Sequence, residues 1–147
     1  MSDATRSPAN AVRPLRTRIL RPEWPAERLL EFEQDDAALH LAARLDGAVV
    51  AVATVYPEPP PEALGIPVEA AWQLRGMASE ARVRGLGFGA AVLEGCVRAA
   101  REAGAGALWC NARRGAVGFY AAHGWAVVGP EFEVPNVGPH VVMWRAL

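Results

Sequence analysis

The chain contains no lysine: all fifteen of its cationic side chains are arginine. That excludes a lysine Schiff base and a lysine nucleophile. It also removes the Lys-Ser/Thr pair that a P-loop needs after its last glycine. Cysteine is scarce, with Cys96 and Cys110 the only two. Cys96 falls on an apolar helix face and Cys110 in an apolar strand, so both read as buried thiols. The three histidines are scattered, and no metal-ligand spacing exists, so no metal is expected. Net charge is small, formally −1. Without a global basic field, neither nucleic acid nor an acidic membrane is an expected partner. Long apolar runs are missing too. No stretch approaches a membrane span, and the first twenty residues lack a signal-peptide core, so the cytoplasm is the expected location.

What remains is a chain of 147 residues, 52% hydrophobic and 21% charged. Such a chain suits one globular domain over residues 1–147, with residues 1–10 polar and frayed. A short helix is expected at about Pro14–Leu20, ended by Pro22, and another helical turn at Ala26–Phe32. Leu39–Leu45 and Ala48–Tyr56 read as strands. Asp46-Gly47 between them is a strong hairpin signal. Pro57–Pro67 holds five prolines and reads as loop near an acceptor side.

The organising stretch is Trp72–Ala103, read as strand, glycine-rich turn and helix. Phe88, Val92, Leu93, Cys96, Val97 and Ala100 recur at three- and four-residue steps and share one helix face. Gly104 suits the left-handed position after its end. Arg84, Gly85, Gly87 and Gly89 sit where the helix must start. Its first turn has unpaired N–H groups and a partial positive charge, and glycines keep side chains away from them. A backbone cradle for phosphate results, with Arg84 as an added charged fork. The plainer reading is a tight structural turn. Gly85-x-Gly87-x-x-Ala90 also matches a relaxed dinucleotide fingerprint, but Ser79–Val83 intervene and a hairpin precedes. Ala107–Asn111 then reads as a buried strand and Gly115–His123 as a helix. Trp125–Val128 reads as a strand, Gly129–Pro139 as a loop and Val141–Arg145 as the last strand.

Arg84-x-x-Gly87-x-Gly89, after Met77-Ala78-Ser79 and before an amphipathic helix, resembles the acyl-CoA signature of the GNAT N-acetyltransferase superfamily. Ala116-Val117-Gly118-Phe119-Tyr120 with His123-Gly124-Trp125 resembles that family's second segment. The resemblance implies an α/β (α+β) fold, with a mixed, mostly antiparallel sheet and helices on both faces. Its central parallel strands, Ala71–Ala78 and Ala107–Asn111, would splay to admit acyl-CoA. It implies acetyl-CoA as co-substrate, bound by Met77, Ala78, Ser79, Arg84, Gly85, Leu86, Gly87, Phe88, Gly89 and Ala90. The acceptor would be a small-molecule or peptide amine attacking directly in a ternary complex. A homodimer is one open oligomeric state.

Acyl transfer needs a neutral amine, a donor for the developing carbonyl charge, a proton for the leaving thiolate, and joint positioning. By resemblance Tyr120 serves the thiolate and the backbone N–H at a bulge near Met77 serves the carbonyl. The plainer reading makes Tyr120 a core aromatic. Asn111 ends its strand nine residues before Tyr120, whereas the family's asparagine sits seven before, where this chain has Arg113. Asn111 either orients a substrate or simply ends a strand. His140, in Gly138-Pro139-His140, is a candidate base near neutral pH, or a loop histidine. Glu69, Gln73, Glu131, Glu133 and a water chain stay open for that task. A non-catalytic acyl-CoA sensor on the same fold is the alternative function.

Overall fold

The computed structural model describes residues 3–25, 27, 28, 30–67 and 69–147. The chain forms two compact units, Met1–Tyr56 with Leu74–Ala103 and Pro57–Gln73 with Gly104–Leu147. Seven strands follow the order β1-β2-β3-β4-β5-β7-β6 in a mixed sheet. They are β1 (Ala4–Ser7), β2 (Leu39–Leu45), β3 (Ala48–Pro57), β4 (Ala71–Ser79), β5 (Ala107–Arg113), β6 (Ala126–Val134) and β7 (Gly138–Ala146). The helices are α1 (Ala9–Leu20), α2 (Phe88–Glu102) and α3 (Val117–Ala122).

In the first unit, β2 and β3 form the expected hairpin. Asp46 and Gly47 stand at φ 52° and 84°. Two successive positive φ values match the twist of the flanking strands. The frayed N-terminus expected for residues 1–10 is corrected: Ala4–Ser7 pairs antiparallel with β2, from Ala4↔Ala43 to Ser7↔His40. Ladder bonds run through the backbone, so polar side chains on a sheet edge do not oppose them. Helix α1 also starts earlier than expected, at Ala9, with extended Pro8 before it and Pro14 inside it. Pro14 removes one interior hydrogen bond, but Val12 and Leu15 on either side are buried against Ala42, Val52 and Ala78. That burial outweighs the local penalty, which is about 3 kcal/mol. The helical turn expected at Ala26–Phe32 lies partly outside the described residues. A 3₁₀ turn at Glu31–Gln34 follows it.

The two long helices cover opposite faces of this unit's sheet. Helix α1 packs on Ala42. Helix α2 approaches Leu41 and Ala4 through Gly95, where an added Cβ would lie 3.0 Å from the Ala4 Cβ and 3.4 Å from Leu41. Successive strand residues point to opposite faces.

In the second unit, β4 pairs with β5 in parallel over three residue pairs, Ala71↔Ala107 to Gln73↔Trp109. Strand β5 pairs antiparallel with β7. The loop expected at Gly129–Pro139 is corrected: β6 runs to Val134 and pairs with β7, which begins at Gly138. Glycines and prolines there suggest a loop, but they serve a bulge and a hairpin end. From Val128↔Val142 to Phe132↔His140, β6 advances four residues while β7 advances two. Gly129, at φ 77°, sits in that bulge, and Leu64 of the proline-rich loop fills the space its missing side chain leaves. Leu64 and Ile66 join Trp109, Val128, Phe132, Val142 and Trp144 in one apolar cluster. Trp109 Nε1 donates to the Glu58 carbonyl at 2.8 Å, so the five-proline stretch is fixed on this face.

Candidate functional site

The glycine-rich turn adopts the geometry an anion cradle needs. Ala81–Val83 forms a 3₁₀ turn, and Gly87 stands at the N-cap of α2 with φ 91°. Gly85 is at φ 81°. Both values favour glycine, and no side chain caps the helix. The first intrahelical bond is Ala91 N–H to the Gly87 carbonyl at 3.0 Å. The amides before it, up to Ala90, belong to the orphan donors of a helix start. A Cβ on Gly85 or Gly87 would meet nothing within 4 Å, so the space before these amides is open. These glycines therefore serve a turn and also leave an open front. A group of diphosphate chemistry fits such a donor set.

Arg84 and Leu86 are exposed beside it, while Phe88 is buried and anchors the helix. A hollow of about 400 Å³ is lined by Arg18, Ile19, Ser79, Glu80, Arg82 and Arg84. Glu80 takes Arg18 at 2.7 Å and Arg82 at 2.6 Å. Those two guanidiniums hold its carboxyl below the usual range. Among the described residues no ion pair engages Arg84, and its fork faces solvent.

Strand β4 carries Met77, Ala78 and Ser79. Gly76, at φ 67°, breaks the extended run just before Met77, where the resemblance implies a bulge. A side chain at 76 would overlap the Arg16 guanidinium. Arg16 is fully buried on α1. It donates to Glu33 Oε1 at 2.7 Å, to the Gly76 carbonyl at 3.4 Å and to Thr54 Oγ1. Burial lowers its pKa to about 10, against the pull of Glu33. Sequence spacing could not show this hub, because its partners lie 17, 38 and 60 residues away.

His40, which the strand reading placed in the sheet, is buried, and its Nδ1 lies 2.8 Å from Thr54 Oγ1. Its pKa is lowered from 6.5, first by burial and then by the Arg16 cation; Glu33 opposes and Arg13 adds to the lowering. The unfolded chain therefore binds this proton more readily than the folded one. The resulting stability is present above pH 6.5 and is lost as pH falls toward the folded value. Urea midpoints followed through this range should fall more steeply for the wild type than for His40→Gln. Parallel acid limbs would remove His40 as the cause.

In the second unit, Tyr120 is buried on α3, edge-on to Phe119 and tilted against Trp125. Its side chain hydrogen-bonds the Cys110 thiol. Burial pushes that thiol up to about 12, so it stays protonated. Cys96 is also buried, and burial raises its pKa as well. Asn111 is exposed and pairs with Val142, while Arg113 pairs with His140. Paired residues share a face, so Asn111, Arg113 and His140 lie on one side of β5 and β7. Cys110 lies on the other, with Tyr120. The unit thus brings Asn111 and His140 to one face and Tyr120 to the opposite one. Arg113, to which sequence reasoning gave no role, stands directly across from His140. Only strand register reveals that pairing.

His140 is buried, and its Nδ1 lies 2.9 Å from the Gly138 carbonyl. A carbonyl only accepts, so Nδ1 carries a hydrogen, and in the neutral imidazole the lone pair is on Nε2. Phe132 lies against the ring, with centroids 6.0 Å apart. Of the alternatives, Gln73 is buried in β4 and its amide takes up no proton near neutral pH, and Glu131 is spent on an exposed pair with Arg114 at 2.7 Å. Among the described residues no group of three or more metal-binding side chains is found, and no helix is long and apolar enough to cross a membrane.

Comparisons with known proteins bear on the family and the fold. The model of the acetyltransferase (GNAT) family matches residues 9–125. An uncharacterized N-acetyltransferase of Bacillus subtilis (strain 168), YitI, is 33% identical over 135 residues, spanning 90% of this chain and 88% of that protein. Among solved structures, Escherichia coli ElaA superposes with a TM-score of 0.74 at 16% identity, covering 99% of each chain. An acyl-CoA N-acyltransferase from Pseudomonas aeruginosa gives a TM-score of 0.72 at 21% identity, over 99% of this chain and 100% of that one. The two structures share the fold. The family match and the curated relative carry the assignment: this chain belongs to the GNAT family of N-acetyltransferases, enzymes that take an acetyl group from acetyl-CoA and place it on an amine.

Proposed function

We propose that the chain acetylates a primary amine of a small molecule or peptide by direct attack on acetyl-CoA in a ternary complex. The observation that carries this reading is the open, uncapped start of α2 behind Gly85 and Gly87. There the amides of Gly85 and residues 87–90 would hold the diphosphate, with Arg84 closing on a phosphate oxygen; the Leu86 N–H, expected to take part, is instead bonded to the Val83 carbonyl at 3.1 Å. The backbone of Met77 and Ser79 would hold the pantetheine as an added strand does, and the Met77 N–H would face the thioester oxygen. Acetyl-CoA supplies the activated acyl group; the chain supplies orientation and protons.

Tyr120 is assigned the leaving sulfur. Its phenol already donates to a neutral thiol. A thiolate is a stronger acceptor, since charge-assisted bonds are roughly twice as strong, so the phenol hydrogen would move to it. His140 is assigned the amine proton, taken at Nε2. Asn111 shares the His140 face of β5 and β7, opposite Tyr120, so the amine would approach from that face while the sulfur leaves toward Tyr120.

Calorimetric titration with CoA tests the cradle. Wild type should bind, and Arg84→Ala should bind about ten-fold more weakly, the loss of one charge-assisted contact. Its melting temperature should not change, because Arg84 is exposed. Absence of CoA binding by the wild type would end the proposal. Release of free CoA thiol with an amine panel then reports turnover.

A further inference from the structure

Three guanidiniums gather about Phe32 and Glu33, and Glu33 pairs with two of them. Glu33 is the one carboxylate that pairs there among the described residues. Its Oε2 accepts from Arg13 at 2.9 Å and from the Leu30 N–H at 3.2 Å. Its Oε1 accepts from Arg16 at 2.7 Å. Both oxygens are engaged by those two guanidiniums. His40 adds no negative charge. A third guanidinium, Arg75, lies over the same Phe32 ring, with its central carbon 4.9 Å from the centroid, against 5.0 Å for Arg16. Phe32 is itself buried and stacked on Tyr56, with centroids 5.7 Å apart and planes at 12°.

Arg75 differs from its two neighbours. It is exposed, and among the described residues no ion pair reaches it. The aromatic ring holds the guanidinium in place while the residue stays exposed. A planar fork held in this way matches a carboxylate or phosphate in two parallel hydrogen bonds. Little rotamer freedom is left to lose when such a partner arrives.

The position in the strand gives this fork a use. Arg75 directly precedes Gly76, and Met77 follows. Arg75 and Met77 flank the Gly76 break in β4, so an anion on Arg75 and an acyl carbonyl held at Met77 would share one part of the strand. The phosphates of CoA have their own donors beyond Ser79, at the far end of β4. The anion at Arg75 is therefore a different one.

We infer that Arg75 binds an anionic group of the acceptor, so that the substrate is an amine that also carries a carboxylate or a phosphate. This rests on the acetyltransfer reading above and narrows its acceptor. A stacking role alone would leave acceptor KM untouched.

The test uses matched acceptors: amino acids against the amines left by their decarboxylation, and O-phosphoethanolamine against ethanolamine, with CoA thiol release as the readout. Wild type should prefer the anionic member of a pair by at least ten-fold in kcat/KM, expressed in KM. Arg75→Gln should abolish that preference while its CoA affinity stays unchanged, and Arg75→Lys should restore part of it. Preference within the amino acid pairs identifies a carboxylate, and preference for O-phosphoethanolamine identifies a phosphate. Equal turnover within every pair overturns the inference and leaves the acetyltransfer reading intact. If CoA binds but no amine reacts, thermal shift decides. Stabilisation of the CoA-bound wild type, but not of Arg75→Gln, by the anionic members supports the site, and no difference overturns it.

Discussion

Replacing Tyr120 with phenylalanine should lower kcat by about 10²- to 10⁴-fold, the range a positioned proton donor contributes, while CoA affinity stays within about two-fold. The asymmetry follows from what the phenol touches. Its ring packs with Phe119 and Trp125, and phenylalanine keeps that packing. Only the hydroxyl is lost, together with its bond to the Cys110 thiol. A bond of this kind is worth about 1 kcal/mol, a change that is small beside the kinetic one. A sulfur leaving without a donor departs as a free thiolate, and the whole penalty falls on the chemical step. Single-turnover rates with saturating acetyl-CoA would isolate that step. An unchanged rate would return Tyr120 to a purely structural role.

The second large effect concerns folding. Glu33→Ala should destabilise the chain by about 3–5 kcal/mol, because it leaves the Arg16 guanidinium buried without its counter-ion. At roughly 2–4 °C per kcal/mol for a chain of this size, the melting temperature would fall by about 6–20 °C. The exposed Arg18–Glu80 pair is the internal control, since opening it should cost less than about 1 kcal/mol. A double variant, Arg16→Met with Glu33→Leu, should recover most of the loss. Matched apolar residues replace a buried ion pair without the unpaired charge. Denaturant midpoints for the set give the answer. A loss below about 1 kcal/mol in Glu33→Ala would mean that water or another group reaches Arg16.

These two sites differ in how far the sequence disclosed them. The helix that carries Tyr120 was legible because a short motif, Ala116 to Tyr120, marks it. The Asp46-Gly47 hairpin and helix α2 were legible for the same reason, since local spacing and turn chemistry decide them. The Arg16–Glu33 hub was not, because its partners meet only after α1, β3 and β4 assemble. Strand β1 was missed because edge pairing asks little of side chains. The start of β6 was read as a strand, but its continuation past Val128 was hidden by Gly129, Pro130 and Pro135, which signal turns but here serve a bulge and a hairpin end. The face that His140 shares with Asn111 and Arg113 depends on register, which no single segment contains.

The bulge in β6 has a consequence for how molecules of this protein meet at high concentration. Strand β6 ends the strand order, so one side of its backbone has no neighbouring strand among the described residues. A straight, apolar rim of that kind would act as a template for cross-molecular β-pairing. Two extra residues kink this rim, and Pro130 within it offers no N–H. Straightening it, by deleting two residues of the bulge and exchanging the proline for valine, would be expected to yield a chain that still binds CoA yet precipitates on concentration.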